Sequence, residues 1–325
     1  MRIALPNSLI SAQFSQNMVE LRQSIARTAT EATTGRYADP TAHLSGRIGT
    51  AMLSQKAIDD IGFQREQLSL RETRLEVTQT NLTAINDRVQ GIDISMLEAL
   101  GTGNVFSQTL AARDAAAALD DVFAALNVRY GERYLFSGDA TDTPPLASAS
   151  DMLDDVRQLA LAAATTADFT TALDAYFNTP GGGWQPDIYR GTLTASDSDS
   201  VTAADPALVD LISNLAILAI SEPGNNPPPV AQNGGLIRSA AAGISTGLTS
   251  LTIVRSERGV VQEQISTQKE TLDVEETIFT SAFNALTARD QYEAASALKQ
   301  LEATLEASYL LTSRLSGLSL INFLR

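Results

Sequence analysis

The residue types that usually carry chemistry are few in this chain, and their spacing does not suit a reaction centre. His43 is the only histidine and cysteine is absent, so His43 has no partners for a zinc site or a nucleophile triad. The acidic pairs Asp120-Asp121 and Asp154-Asp155 are adjacent residues, which do not face each other on a helix. We interpret all of them as structural or solvated side chains.

Two glycine runs and one Asp-Ser segment could suggest ligand loops. Gly101-Thr102-Gly103 and Gly181–Gly183 are not followed by the Lys-Ser/Thr of a phosphate-binding loop. Asp197–Ser200 alternates carboxylates with hydroxyls, but no Glu closes it as in an EF-hand. The sequence therefore predicts turns and a surface loop here, and a protein with no enzymatic activity, no cofactor and no metal.

A narrow stripe of apolar and small residues near each end of the chain is more informative. Its members recur in steps of three and four: Phe14, Met18, Leu21, Ile25, Thr28 and Ala32 at one end, and Ala294, Leu298, Leu301, Leu305, Ser308, Thr312 and Leu315 at the other. This is the spacing of a packing seam on a helix. A single helix with so narrow a seam is marginal in water, so each terminus must pack on the other terminus or on another molecule.

The end of the chain is especially apolar, and an exposed apolar patch usually marks a contact. We therefore predict an assembly surface made by the two ends. Its candidate residues are Phe14, Leu21, Ile25, Leu298, Leu301, Leu305, Leu315, Leu318, Leu320, Phe323 and Leu324. The open alternative is a self-contained helical bundle, in which the same leucines form an intramolecular core.

Charge and hydropathy limit the classes of partner that are expected. The net charge is -15 and the sequence pI is near 4.5, which disfavours contact with nucleic-acid phosphates and with anionic membranes. The longest apolar patch, Leu215–Ile220, is far shorter than the roughly 18 residues of a membrane span. We expect neither nucleic acid nor a membrane as a partner, and no cleaved secretory signal.

The periodic segments predict a mainly α fold: long nested antiparallel helices formed by both termini, coiled-coil-like, with a small mixed α/β domain inserted in the middle. Helices are expected at about residues 10–35, 48–100, 108–128, 152–164 and from 236 onward, with a strand-like segment at 188–193. The predicted domains are residues 1–44 with 283–325 (terminal assembly), 45–138 with 236–282 (long-helix rod) and 139–235 (inserted outer domain).

Short motifs add a resemblance to a known family. They are Thr34-Gly35-Arg36 with Asp39-Pro40, Tyr134–Gly138 with Thr143–Pro145, Tyr189–Gly191, Asp205–Ala207 and the ending Leu318–Leu324. In this order, and at these distances from the ends, the chain resembles the flagellin superfamily, and within it the flagellar hook-associated protein 3 family. The resemblance covers roughly residues 1–140 and 235–325.

The resemblance implies a structural adaptor between the flagellar hook and the filament, secreted uncleaved through the type III export apparatus. It implies partners: copies of itself in a ring, the hook-side hook-associated protein 1, flagellin and a flagellar export chaperone. It also implies terminal segments that become ordered on assembly, at the extracellular hook-filament junction. The alternatives are a filament-forming flagellin and, from another class, an enzyme domain in residues 140–235 on a helical stalk.

Overall fold

The computed structural model describes the backbone of residues 7–196, 199–224 and 227–323, and the side chains of residues 12–196, 199–224 and 227–314. The described part is mainly α-helical, with one two-stranded sheet, and both termini form long helices. The predicted fold class is confirmed at this level. Contacts group the chain into two compact units, one holding the described residues up to Arg65 together with those from Glu270 on, the other holding Glu66–Lys269.

The first unit is built around the two terminal helices, which pack along each other. Asp39 caps a short helix, accepting the Ala42 N–H at 3.0 Å, and Pro40 takes the first helical position, where its missing N–H costs nothing. The elements of this unit are α1 (Asn7–Thr34), α2 (Pro40–Leu44), a 3-10 turn (Ser45–Arg47), the first part of α3 (Ile48–Val89), the last part of α9 (Gly234–Thr287) and α10 (Gln291–Phe323).

The second unit contains a dense apolar core. Helix α8 is buried over most of its length and packs on α5, α6 and α7, while α4 packs on α5. The elements are the remaining parts of α3 and α9 with α4 (Ile92–Thr102), α5 (Val105–Leu126), β1 (Arg129–Tyr130), β2 (Arg133–Tyr134), α6 (Ala149–Ala162), α7 (Thr166–Asn178) and α8 (Pro206–Ile220). Strands β1 and β2 form an antiparallel hairpin in which Arg129 lies opposite Tyr134.

Three local expectations differ from the structure. The helix expected over residues 48–100 is interrupted, because Gly91 adopts a left-handed conformation (φ 88°) between α3 and α4. Helices α7 and α8 were not expected. The strand-like segment at 188–193 forms only an isolated bridge, between Tyr189 and Leu146. It follows a helical turn at Trp184–Ile188. This turn contains Pro186, which has no N–H to donate to a β-sheet hydrogen bond.

The three-domain division stays a prediction. The two units differ physically in how much apolar surface they bury. Among the described residues, the buried apolar side chains of the first unit are Leu44, Ala51, Ile61 and Ala294, whereas the main buried cluster lies entirely in the second unit. The first unit therefore buries less of its apolar surface than the second unit does.

Candidate assembly surface

The predicted stripes are the least exposed faces of the terminal helices. On α1, every stripe position from Phe14 to Ala32 is half-buried or buried, and most of the residues between them are exposed. On α10, Ala294 is buried and the stripe is half-buried as far as Ser308, but Thr312 is exposed. Because α1 and α10 pack together, the stripe pattern predicted from the sequence corresponds to the faces that are turned away from solvent.

The pairing leaves the stripe incompletely covered. The candidate residues Phe14, Leu21 and Ile25 on α1, and Leu298, Leu301 and Leu305 on α10, are all half-buried, and none is fully buried. Further apolar side chains on these helices, including Val19, Leu310 and Leu311, are exposed. Two helices alone do not enclose a core, so the pair retains apolar surface that a further helix could cover.

The remaining candidates lie at the end of the chain. Leu315, Leu318, Leu320 and Phe323 fall within helix α10, but their side chains lie outside the described residues. Leu324 lies outside the described residues altogether. Their part in an assembly surface therefore stays a prediction.

A hydrogen-bonded joint connects the end of α1 to the start of α10. Gly35, at φ 65°, donates its N–H to Glu31 O at 2.9 Å and closes α1. Its carbonyl accepts the Arg289 N–H at 2.9 Å, and Tyr37 donates its N–H to Thr287 O at 3.3 Å. A Cβ at Gly35 would lie 3.1 Å from the Gln291 amide, so the Thr34-Gly35-Arg36 motif is explained by local geometry.

A buried ion pair lies at the centre of this joint. The Glu31 carboxylate is 4% exposed and accepts from the Arg289 guanidinium and from the Ala38 N–H at 3.0 Å. Arg289 also lies over the Tyr37 ring, 5.4 Å from its centroid. The His43 ring stacks on the Tyr37 ring, with the two centroids 3.6 Å apart. We call Glu31, Tyr37 and Arg289 the terminal clasp. No pattern in the sequence indicated these three residues as a group.

The Tyr134–Gly138 and Tyr189–Gly191 motifs form two loops of the second unit that are hydrogen-bonded to each other. The buried Ser137 hydroxyl donates to Thr143 O at 2.7 Å, and its carbonyl accepts the Thr192 N–H at 2.9 Å. Gly138 has φ 66° and a Cβ there would lie 2.3 Å from Thr192 O, while a Cβ at Gly191 would lie 2.6 Å from Ser137 O. The Tyr134–Gly138 and Tyr189–Gly191 motifs therefore hold a packed loop pair that only glycine permits.

Tyr176 and Asp205, two titratable groups of the second unit, have structural partners. Asp155 accepts from the Tyr176 hydroxyl at 2.9 Å, and burial is the main cause that raises the pKa of Tyr176. Asp205 caps α8 through the Ala207 N–H at 2.9 Å, and burial raises its pKa while that hydrogen bond opposes the rise. These contacts hold helices in place and create no acid-base pair over a substrate cleft.

Two further acidic residues considered from the sequence form ion pairs. Asp121 accepts from Arg88 at 2.6 Å, and Asp199, which is buried, accepts from Arg71 at 2.5 Å. Over the described residues, no group of three or more His, Asp or Glu side chains is arranged to hold a metal ion. Within the same residues, no helix combines the length and the apolar character needed to cross a bilayer.

The segment that matches a known family includes most of α9 and all of α10. Residues 242–324 match the family model of the bacterial flagellin C-terminal helical region. The match covers about a quarter of the chain and supports the flagellin superfamily and a structural role in a bacterial flagellum. No curated protein matches the chain significantly.

Proposed function

We propose that this chain is a structural adaptor of the bacterial flagellum, which joins the hook side to the flagellin filament through helix packing of its termini. It performs no catalysis and needs no cofactor. Its partners are copies of itself in a ring, the hook-side hook-associated protein 1 and flagellin, together with an export chaperone and the type III export apparatus. It acts outside the cell, at the hook-filament junction.

One observation carries the proposal: the apolar stripe of the paired terminal helices is incompletely buried. Leu298, Leu301 and Leu305 repeat at helical spacing on α10 and remain partly open to solvent although α1 is already packed along the helix. Apolar area removed from water stabilises a contact by about 25 cal/mol per Å². Covering this stripe with helices of neighbouring subunits would therefore favour assembly.

The incomplete burial of the terminal helices also suits export. A helix pair with few buried side chains depends on its neighbours for stability, so its ends can pass through a narrow channel unfolded and become ordered on arrival. The second unit has its own core and does not need the assembly to stay folded. In the proposed arrangement, residues 1–44 with 283–325 assemble, 45–138 with 236–282 form a rod, and 139–235 face outward.

The test replaces two stripe leucines by aspartate, in the double variant Leu305→Asp with Leu315→Asp. We expect incorporation into flagella to be abolished, because two charges would be buried in an apolar contact. The matched control is Gln300→Asp, at an exposed position on the same helix. Fluorescence of Trp184, buried in the second unit, reports that this unit stays folded. Normal incorporation of the double variant would refute the proposal.

A filament-forming flagellin is the second candidate, favoured by the family description matched at residues 242–324. It would use the same stripe in the same way and differ in copy number. Open-ended polymerisation of the purified chain into long filaments would favour the flagellin, whereas assemblies that stop at a ring would favour the adaptor.

A further inference from the structure

Each copy of this chain carries an exposed apolar knob. At the start of α5, the side chains of Phe106 and Leu110 are 75% and 61% exposed. They lie one helical turn apart, so they project from the same side of the helix, and Asn104 fixes this helix start by accepting the Phe106 N–H at 2.9 Å. We call Phe106 and Leu110 the α5 knob. Such a pair of anchors on a rigid helix is suited to insertion into an apolar groove.

Each copy also carries an apolar groove. It has a volume of about 320 Å³ and lies in the first unit, where Met52 at its edge is 70% exposed. Arg36 is the charged residue of its lining and lies 5.9 Å from the centroid of the Phe283 ring. The groove is lined chiefly by Tyr37, Pro40, Leu44, Ile48, Met52 and Phe283.

The charges beside the two surfaces are complementary. The Glu98 and Asp114 carboxylates and the Arg113 guanidinium lie beside the α5 knob. Asp114 pairs with Arg88, and Arg113 pairs with Glu222, so three carboxylates and two guanidiniums leave a small local excess of negative charge. The groove carries the Arg36 guanidinium at its lining. In a chain with a net charge of -15, two copies repel each other, and a contact at which opposite charges meet reduces that repulsion.

We propose that the α5 knob of one copy inserts into the Arg36–Phe283 groove of a second copy. The inference rests on the proposed function, which requires copies of the chain to associate, and identifies the surfaces that meet. Because the knob and the groove are different surfaces, the contact is heterologous, and repetition of a heterologous contact builds a ring or a helical array. One contact would cover two apolar surfaces that otherwise remain in water.

Cross-linking tests the contact directly, because the natural chain has no cysteine. Ser107 lines the recess beside the knob and Gln55 lines the groove. Full-length chains with Ser107→Cys and with Gln55→Cys, distinguished by size tags, are mixed at high ammonium sulfate, which strengthens apolar contacts. We expect disulfides between the two kinds of chain, several-fold above a matched mixture in which Leu161→Cys, on exposed α6 surface, replaces Gln55→Cys. An equal yield, or a predominance of Ser107 self-pairs, would overturn the proposal.

Complementing variants test its heterologous nature. Phe106→Asp replaces an apolar side chain of the knob by a charge, and Met52→Asp does the same in the groove. Neither side chain is buried, so both chains should fold. We expect neither variant alone to reach the assembly size of the wild-type chain in ammonium sulfate, and their mixture to gain 1:1 dimers through the one intact knob and the one intact groove. Growth of either variant alone into the wild-type assembly would overturn the contact.

Charge exchange gives a third readout. Arg36→Glu should weaken the cross-link between Ser107→Cys and Gln55→Cys chains, and Glu98→Arg on the knob chain should restore it. Failure of this restoration, with both variants folded, contradicts the charge pairing on which the contact rests.

The outcomes separate this inference from the proposed function. If wild-type chain and Phe106→Asp incorporate into flagella equally well, the knob-groove contact is wrong and the structural role stands. If wild-type chain is absent from flagella, the proposed function is wrong, and the cross-linking still decides whether the contact between copies exists.

Discussion

The terminal clasp allows a prediction with a magnitude. Arg289→Ala leaves the Glu31 carboxylate, 4% exposed, without its guanidinium. Removing one partner of a buried ion pair costs about 3–5 kcal/mol. Since the Ala38 N–H still donates to Glu31 and Arg289 itself is 21% exposed, we expect the lower end, about 3 kcal/mol. At roughly 1.4 kcal/mol for each factor of ten, local opening of the joint should become about a hundredfold more frequent.

The assay is hydrogen exchange read by mass spectrometry on peptides covering residues 24–34 and 291–301, because it reports local opening free energies. The matched control is Arg65→Ala in the same unit. Arg65 pairs with Glu276 at 2.6 Å and with Asp273 at 2.9 Å, but is 40% exposed, and an exposed ion pair contributes only about 0.2–1 kcal/mol. If Arg289→Ala accelerates exchange at the joint no more than Arg65→Ala does near its own position, the structural importance assigned to the clasp is refuted.

Three further predictions concern single sites. Gly35→Ala should destabilise the joint by about 1 kcal/mol, since alanine is strained at positive φ, whereas Gly62→Ala, within a helix and with open space around it, should stabilise; both are measured by thermal unfolding. Ser137→Ala should cost the second unit about 1–3 kcal/mol in urea unfolding, because the Thr143 carbonyl loses a buried donor. Burial raises the pKa of Tyr189 from 10.0 to about 12, so the unfolded chain ionises first and the stability of the second unit should fall as pH rises from 10 to 12; in Tyr189→Phe this fall should be smaller, as followed by Trp184 fluorescence.

The periodic features of the fold were predictable from the sequence. The three-four spacing on α1 and the first part of α10 specifies which face is shielded, because a helix places residues three and four apart on one side. Helix α5 was expected at about residues 108–128 and is found at Val105–Leu126. These elements depend on local pattern, which is present in the sequence.

Helices α7 and α8 and the break at Gly91 were not predictable from apolar spacing. Helix α8 is apolar on nearly all sides, so its sequence has no amphipathic period from which to infer it. Helix α7 could have been found, because Thr165 and Asp168 form a capping box at its start. The break at Gly91 was missed because the apolar spacing continues across it, with Val89 and Ile92 both buried.

The candidate site was predictable in its apolar part and not in its charged part. The stripe residues can be recognised in the sequence by their spacing in steps of three and four. Glu31 and Arg289 are 258 positions apart, and no local pattern indicates that one carboxylate among 38 acidic residues pairs with that arginine. Such a pair is a consequence of how α1 and α10 pack, and becomes visible only in three dimensions.

The most direct test of the central claim is immunogold electron microscopy of flagella isolated from cells that express an epitope-tagged full-length chain. The adaptor account predicts gold at one position on each flagellum, between the hook and the filament. Label along the whole filament would contradict the adaptor and support the flagellin, and flagella without label would contradict a structural role in the flagellum.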